Sequence, residues 1–201
     1  MRAADLEQYR GKRVDDLLGP HTKLLIVGIN PGLWTAAVNT HFARPGNRFW
    51  PALHRAGLLD EPVDASKGLP PEVVAHLHEL GIGISNVVDV ATARADELTR
   101  EQLRAGGERL RVLVARVRPR VVAILGLTAY REAFGRRGAR VGRQPEDFEG
   151  AQLWVVPNPS GLNAHETVET LATAYRQVAE AAGILPRRGD ESACDDHETD
   201  R

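Results

Sequence analysis

Four short, nearly unbroken apolar runs constrain this chain more than any other feature of it. Leu24–Gly28, Ile82–Val90, Val121–Gly126 and Gln152–Val156 are brief and lack the apolar–polar alternation of a half-exposed strand. Runs of that kind read as strands covered on both faces, as in a parallel sheet. The stretches between them read as helices. Thr99 opens one, with Gln102 three residues on completing a capping box and Leu103, Leu110, Leu113, Val114 and Val117 on one face. Pro70-Pro71 opens a helix to Leu80, Thr128–Phe134 is a short one, and Glu166–Ala182 is the last, stopped by Gly183. A further helix runs from Gly46 to Gly57 with Asn47 as its N-cap, and Leu6–Leu18 is partly helical, while Leu33–Pro45 is expected to be a loop. The alternation predicts an α/β fold: three layers, α/β/α, around a central, mainly parallel four-stranded sheet.

Each run stops in turn-forming or polar residues: Gly28-Ile29-Asn30-Pro31-Gly32, Asp89, Gly126, and Asn158-Pro-Ser-Gly161. In a parallel sheet all four stops lie at one edge, the edge at which open α/β sheets bind ligands. Asn30 is held there between a buried strand and a proline-restricted turn. The first strand and its turn could equally be plain scaffold.

Charge divides the chain unevenly. Residues 189–201 hold six acids against one arginine, a net of −5, so the whole-chain net of −1 leaves +4 on residues 1–188. A mildly basic body suits a polyanionic partner. The expected organisation is one domain over residues 1–188 and an acidic tail over 189–201, too poor in apolar residues to order itself. The N-terminal residues lack the apolar segment of an export signal, and no apolar run reaches membrane-spanning length. The lone Cys194 excludes an internal disulfide and any cysteine-rich metal site, so a reducing cytoplasmic setting is expected. His76 and His78 stand two apart on a predicted helix, facing different ways, and are expected to be solvated rather than a metal pair. Gly28-x-x-x-Gly32 is neither a dinucleotide fingerprint nor a phosphate loop, and no serine-nucleophile elbow occurs. Neither metal nor cofactor is predicted.

Three motifs in order and spacing, Gly28-Ile-Asn-Pro-Gly32, Phe42-Ala-Arg-Pro-Gly-Asn-Arg-Phe-Trp50 and Asn158-Pro-Ser-Gly-Leu162, resemble those of the bacterial mismatch-specific uracil-DNA glycosylases. Those enzymes are kin to the thymine-DNA glycosylases within the uracil-DNA glycosylase superfamily. The resemblance implies removal of uracil, or another damaged pyrimidine, mispaired with guanine in double-stranded DNA. The base must leave the stack before its glycosidic bond can be reached. By the resemblance Asn30 positions the attacking water, Gly28, Ile29, Pro31, Gly32 and Phe42 form the base pocket, and Phe42 stacks on the everted base, unless it is simply core. Leu162 is an apolar tip suited to fill the vacated stack or, alternatively, to staple onto the last helix. Gly161, Asn163 and His165 would meet the widowed partner base, although the family usually carries a basic residue near His165. Asn47, Arg48, Asn158 and Ser160 sit at helix starts and strand-end loops that suit phosphates, with a structural ion pair the alternative for Arg48.

Glycosidic cleavage builds positive charge on the sugar and negative charge on the departing base. An amide takes no proton at neutral pH, so Asn30 alone depends on a good leaving group. Asp89, at the end of the second strand, and Asp96, where relatives tend to carry an amide, are candidates for general base or electrostatic support; Asp96 is preferred, against the alternative that it caps a helix or sits in solvent. No lysine suggests Schiff-base chemistry, so a monofunctional glycosylase without a lyase step is expected; a monomer is expected as well. Two competing readings are a binding protein for mismatches or abasic sites without turnover, and a small-molecule nucleotide or ester hydrolase in the same cleft.

Overall fold

The computed structural model describes residues 2–161 and 163–187. Five strands form one sheet: β1 (Leu24–Gly28), β2 (Ile82–Asn86), β3 (Val121–Leu125), β4 (Gly142–Arg143) and β5 (Gln152–Val156). Their order is β2-β1-β3-β5-β4, with four parallel strands and β4 antiparallel at one edge. β4 joins the four expected strands; its Gly-Arg pair carries no apolar pattern and exists only through its pairing with Trp154 and Val155.

Alternation along the strands divides the core. Leu24 and Ile26 face one side and Leu25 and Val27 the other. The first face packs on α3 (Phe49–Arg55), α4 (Pro71–Leu80) and α7 (Val168–Ala181) through Phe49, Leu53, Leu77 and Tyr175. The second packs on α5 (Arg100–Val117) and α6 (Leu127–Phe134) through Leu110, Val114, Tyr130 and Ala133. The result is the expected three-layer α/β/α arrangement. The capping box at the start of α5 is present, with the Gln102 N–H donating to Thr99 Oγ1 at 3.1 Å.

Several local expectations are corrected. A short helix, α1 (Ala3–Leu6), and one 3-10 turn replace the longer N-terminal helix. Residues 10–18 run on beside β2 instead. The Leu17 N–H donates to Ile84 O at 2.9 Å, and the Ile84 N–H to Leu17 O at 2.7 Å. An open strand edge attracts such pairing, and a two-period pattern this short is invisible beside helix-compatible residues. β2 ends at Asn86 rather than Val90. The loop expected over Leu33–Pro45 contains a helix, α2 (Leu33–Val38), closed by Asn39 in the left-handed conformation. α3 starts at Phe49, and the Asn47 side chain accepts from its N–H at 2.9 Å, so Asn47 caps from two residues upstream. His76 and His78 are half-buried rather than solvated, and His76 Nε2 lies 3.2 Å from Leu58 O. The acidic tail, 189–201, lies outside the described residues, as does Leu162.

Candidate active site

The carboxyl ends of β1, β2, β3 and β5 converge on a cavity of about 310 Å³, a size suited to a small ligand. Gly28, Ile29, Asn30, Pro31 and Gly32 line it from β1, Asn86 from β2, Leu125 from β3, and Asn158 and Ser160 from the loop after β5. The sheet therefore brings together residues up to 132 positions apart in sequence, Gly28 and Ser160 being the extremes.

Asn30 is held in one orientation. Its Nδ2 donates to Pro31 O (3.1 Å), Val90 O (3.2 Å) and Thr92 Oγ1 (2.7 Å). The Thr92 hydroxyl gives its own proton to Arg94 O at 2.7 Å, so it must accept from Asn30. That assigns the amide nitrogen to the protein side, and Asn30 Oδ1 has no partner among the described residues. A carbonyl oxygen fixed in this way can hold a water by accepting a hydrogen bond from it.

Phe42 forms a wall. Its ring stacks on Phe49 at 4.0 Å between centroids and 24° between planes, and Phe49 is in turn fully buried against Trp50 and Tyr175. Phe42 also lines the cavity, so one ring face is anchored in the core and the ring is left to stack a planar guest. The residue sits at φ +56°, a left-handed conformation costing a bulky side chain roughly 1–3 kcal/mol. Surrounding packing holds that strain at the cavity wall. Gly28 permits the arrangement: a Cβ there would stand 2.5 Å from Asn86 Oδ1 and 3.1 Å from Phe42 Cζ.

Asn86 was not singled out by the sequence, and it is the most buried polar side chain lining the cavity after His41. His41 Nε2 lies 2.9 Å from Asp15 O, which can only accept, so Nε2 carries the proton. Burial lowers the His41 pKa below its ordinary value, opposed by that bond to the Asp15 carbonyl and by the charges of Asp16 and Asp15. Neutral His41 then offers Nδ1 as an acceptor, and Asn86 Nδ2 donates to it at 3.2 Å. The imidazole thus orients the amide and leaves Asn86 Oδ1 without a partner beside Gly28. The clue was present in the sequence, a polar residue closing a buried strand just as Asn30 follows one; its partner His41, 45 residues away, was not readable there.

Of the two candidate carboxylates, Asp96 lines the cavity and Asp89 does not. Asp96 stands on a 3-10 turn at the rim, 62% exposed and paired with Arg94 at both carboxylate oxygens, the Nε–Oδ1 contact being 3.1 Å. Asp89 is half-buried and pairs with Arg13 at 3.4 Å. The rim turn is tied to Asn30 through Thr92, whose N–H also donates to Pro31 O at 3.2 Å.

The loop after β5 packs against residues 44–48. A Cβ on Gly161 would meet Gly46 O at 2.6 Å, and the Arg48 N–H donates to Pro159 O at 3.0 Å. The Arg48 guanidinium donates to Ser160 O (2.9 Å), Asn163 O (2.7 Å) and Glu166 O. Three carbonyls from one loop on one side chain make Arg48 the clasp of that loop. Asn158 Oδ1 accepts from the Ser160 N–H at 2.9 Å and Asn163 Nδ2 donates to Asn158 O at 3.2 Å, so both amides also shape it. Gly161, Asn163 and His165 lie outside the lining of the main cavity; Gly161 joins Asn47, Ser160 and Arg44 around an adjoining hollow. Arg44 lines both spaces, is exposed, and has no side-chain partner among the described residues, a cation the sequence reading passed over. Among the described residues no cluster of three metal-ligating side chains occurs, and no helix is long and apolar enough to cross a membrane.

A family model for the uracil DNA glycosylase superfamily matches residues 16–180. A solution NMR structure from Methanosarcina acetivorans, provisionally assigned as a uracil DNA glycosylase, is similar in fold. Its TM-score is 0.58 at 19% identity, over 85% of this chain and 98% of that one.

Proposed function

Since the chain belongs to the uracil DNA glycosylase superfamily, we propose that it excises uracil mispaired with guanine from double-stranded DNA, by water attack at C1′. The observation that carries this reading is Asn30: its amide nitrogen is pinned by three acceptors while its oxygen faces no protein partner, at a cavity walled by Phe42.

The everted base slides against Phe42, where stacking contributes about 1–3 kcal/mol whatever the base. Asn86, oriented by His41, offers Oδ1 as an acceptor, which suits the N3–H of uracil or thymine and not the bare N3 of cytosine. A site built to hydrogen-bond one edge rejects the analogue that leaves a buried group unpaired. Asn30 Oδ1 holds the water. As the glycosidic bond lengthens, the sugar becomes cationic and the base carries off the electron pair. Asp96, at the same rim, supports the sugar cation or takes the proton of the water. Arg44, exposed at the cavity mouth, is placed for the phosphate beside the everted nucleotide, a role for which Asn47 and Ser160 at the same hollow are also suited. Arg48 retains N–H groups beyond its three carbonyl bonds for the same purpose. Leu162, between Gly161 and Asn163, is the proposed wedge.

The test uses labelled duplexes with uracil or thymine opposite guanine, uracil opposite adenine, and uracil in a single strand, each treated with alkali after incubation. Alkali-dependent strand breaks, most abundant for uracil opposite guanine and lost in Asn30→Ala, are the expected result. Duplex bound and never cut would replace the enzyme by a binding protein. Breaks without alkali would contradict the monofunctional mechanism.

A further inference from the structure

A second hollow, of about 540 Å³, lies away from Asn30, between α6 and β4. Four arginines line it, Arg136, Arg137, Arg140 and Arg143, against the single carboxylate Glu146. Arg136 pairs with Glu146. The side chains of Arg137, Arg140 and Arg143 are exposed and have no hydrogen-bond or ion-pair partner among the described residues. Three unpaired guanidinium groups on one loop and the short strand it enters repel one another, an arrangement that an anionic partner relieves.

The loop that carries them is shaped rather than slack. Arg131 donates twice to Ala139 O, at 3.1 and 2.6 Å. Buried Gln144 donates to Arg140 O at 2.7 Å and to Gly142 O at 2.9 Å. Two polar side chains therefore hold the backbone that presents the three free cations.

The sheet sets where this loop stands. Gly142 is opposite Val155, one residue before the carboxyl end of β5, so the loop enters β4 level with the edge that bears the cavity. From β1 to β4 is three strand steps, β1-β3-β5-β4, or about 14 Å. Duplex DNA rises about 3.4 Å per base pair, so a duplex lying across this edge places phosphates about four base pairs from the everted base over the loop.

We propose that Arg137, Arg140 and Arg143 form a second duplex contact, gripping the phosphodiester backbone on one flank about four base pairs from the base in the cavity. The inference rests on the reading that the cavity takes its base from duplex DNA. Its consequence is a flank requirement: the enzyme holds undamaged duplex, and orients on it, through a surface that touches no lesion.

The test is the salt dependence of binding to undamaged duplex by the full chain and by the variant Arg137→Gln, Arg140→Gln, Arg143→Gln. Three lost phosphate contacts lower the slope of log affinity against log salt by about 2.7, which is about a 40-fold smaller fall in affinity between about 50 and 200 mM salt. The matching triple lysine variant keeps the slope. Trimming the flank on the contacted side below about four base pairs removes the difference between variant and parent. An unchanged slope in the glutamine variant, or equal loss in the lysine variant, overturns the proposal, as does failure of the parent to bind duplex. Uracil excision is scored with the same proteins on a duplex carrying one uracil opposite guanine: a parent that binds undamaged duplex with the expected slopes and never excises refutes the glycosylase reading alone, and one that excises with slopes unaffected by the substitutions refutes the arginine contact alone.

Discussion

Replacing Thr92 by valine separates the orientation of Asn30 from its presence. The substitution keeps the shape of the side chain and removes Oγ1, which accepts from Asn30 Nδ2 at 2.7 Å and donates to Arg94 O at 2.7 Å. The other two restraints on Asn30, at 3.1 and 3.2 Å, are longer, so Thr92 is the shortest tether on the amide. Each bond contributes roughly 0.5–1.5 kcal/mol net, and the Arg94 bond is exposed, so the pair stabilises by about 1 kcal/mol. In a chain of this length that lowers the melting temperature by about 2–4 °C. The effect on chemistry is separate. An Asn30 oxygen free to turn misplaces the attacking water, and a loss of about 1.4 kcal/mol in the transition state is tenfold in rate. The expectation for Thr92→Val is single-turnover excision of uracil slowed about tenfold with KM nearly unchanged, and Thr92→Ser close to the parent. If Thr92→Val excises at the parental rate while Asn30→Ala is inactive, the tether has no catalytic role. If serine fails as badly as valine, the hydroxyl is not what matters.

Three other outcomes are expected. Asp96→Ala should lose most activity yet still bind a duplex carrying an abasic site; parental turnover in that variant, beside an inactive Asn30→Ala, removes Asp96 from the mechanism. Gly28→Ala should cost about 1–3 kcal/mol in a denaturant titration and cut excision at least tenfold, because its Cβ would stand 2.5 Å from Asn86 Oδ1; a fully active Gly28→Ala would show that the neighbours yield freely. His41 should make stability fall with acid. Burial lowers its pKa in the folded chain, so below the ordinary value of 6.5 the unfolded chain takes up a proton that the folded chain resists, and stability present above that pH is lost beneath it. Melting temperatures across that range should fall more steeply for the parent than for His41→Gln, and equal slopes would contradict the assignment.

The sequence by itself determined the layers and the edge. Unbroken apolar runs such as Val121–Leu125, short and bounded by turn residues, read as strands covered on both sides, and in a parallel sheet their polar and glycine-rich stops share one end. The helix starting after Thr99 was equally legible, because its cap and its apolar stripe are local. The turn after Asn30 was legible as a strand end, because turn chemistry is written within a few residues, whereas Phe42, which lines the same cavity, was marked only by the resemblance of its motif to a known family. What only the tertiary structure decided is pairing at a distance. His41 orients Asn86 across 45 positions and Arg48 clasps a loop more than 110 positions on, relations with no periodicity to betray them. Asp89 and Asp96 were both candidates near one strand end, with Asp96 preferred only because relatives tend to carry an amide there; the fold set Asp96 at the cavity and Asp89 against Arg13. β4, two residues long, and the pairing of residues 10–18 with β2 exist because a sheet edge recruits whatever backbone passes beside it. Local patterning selects elements through burial and backbone geometry; which side chains then meet is set by strand order, which the chain expresses only once folded.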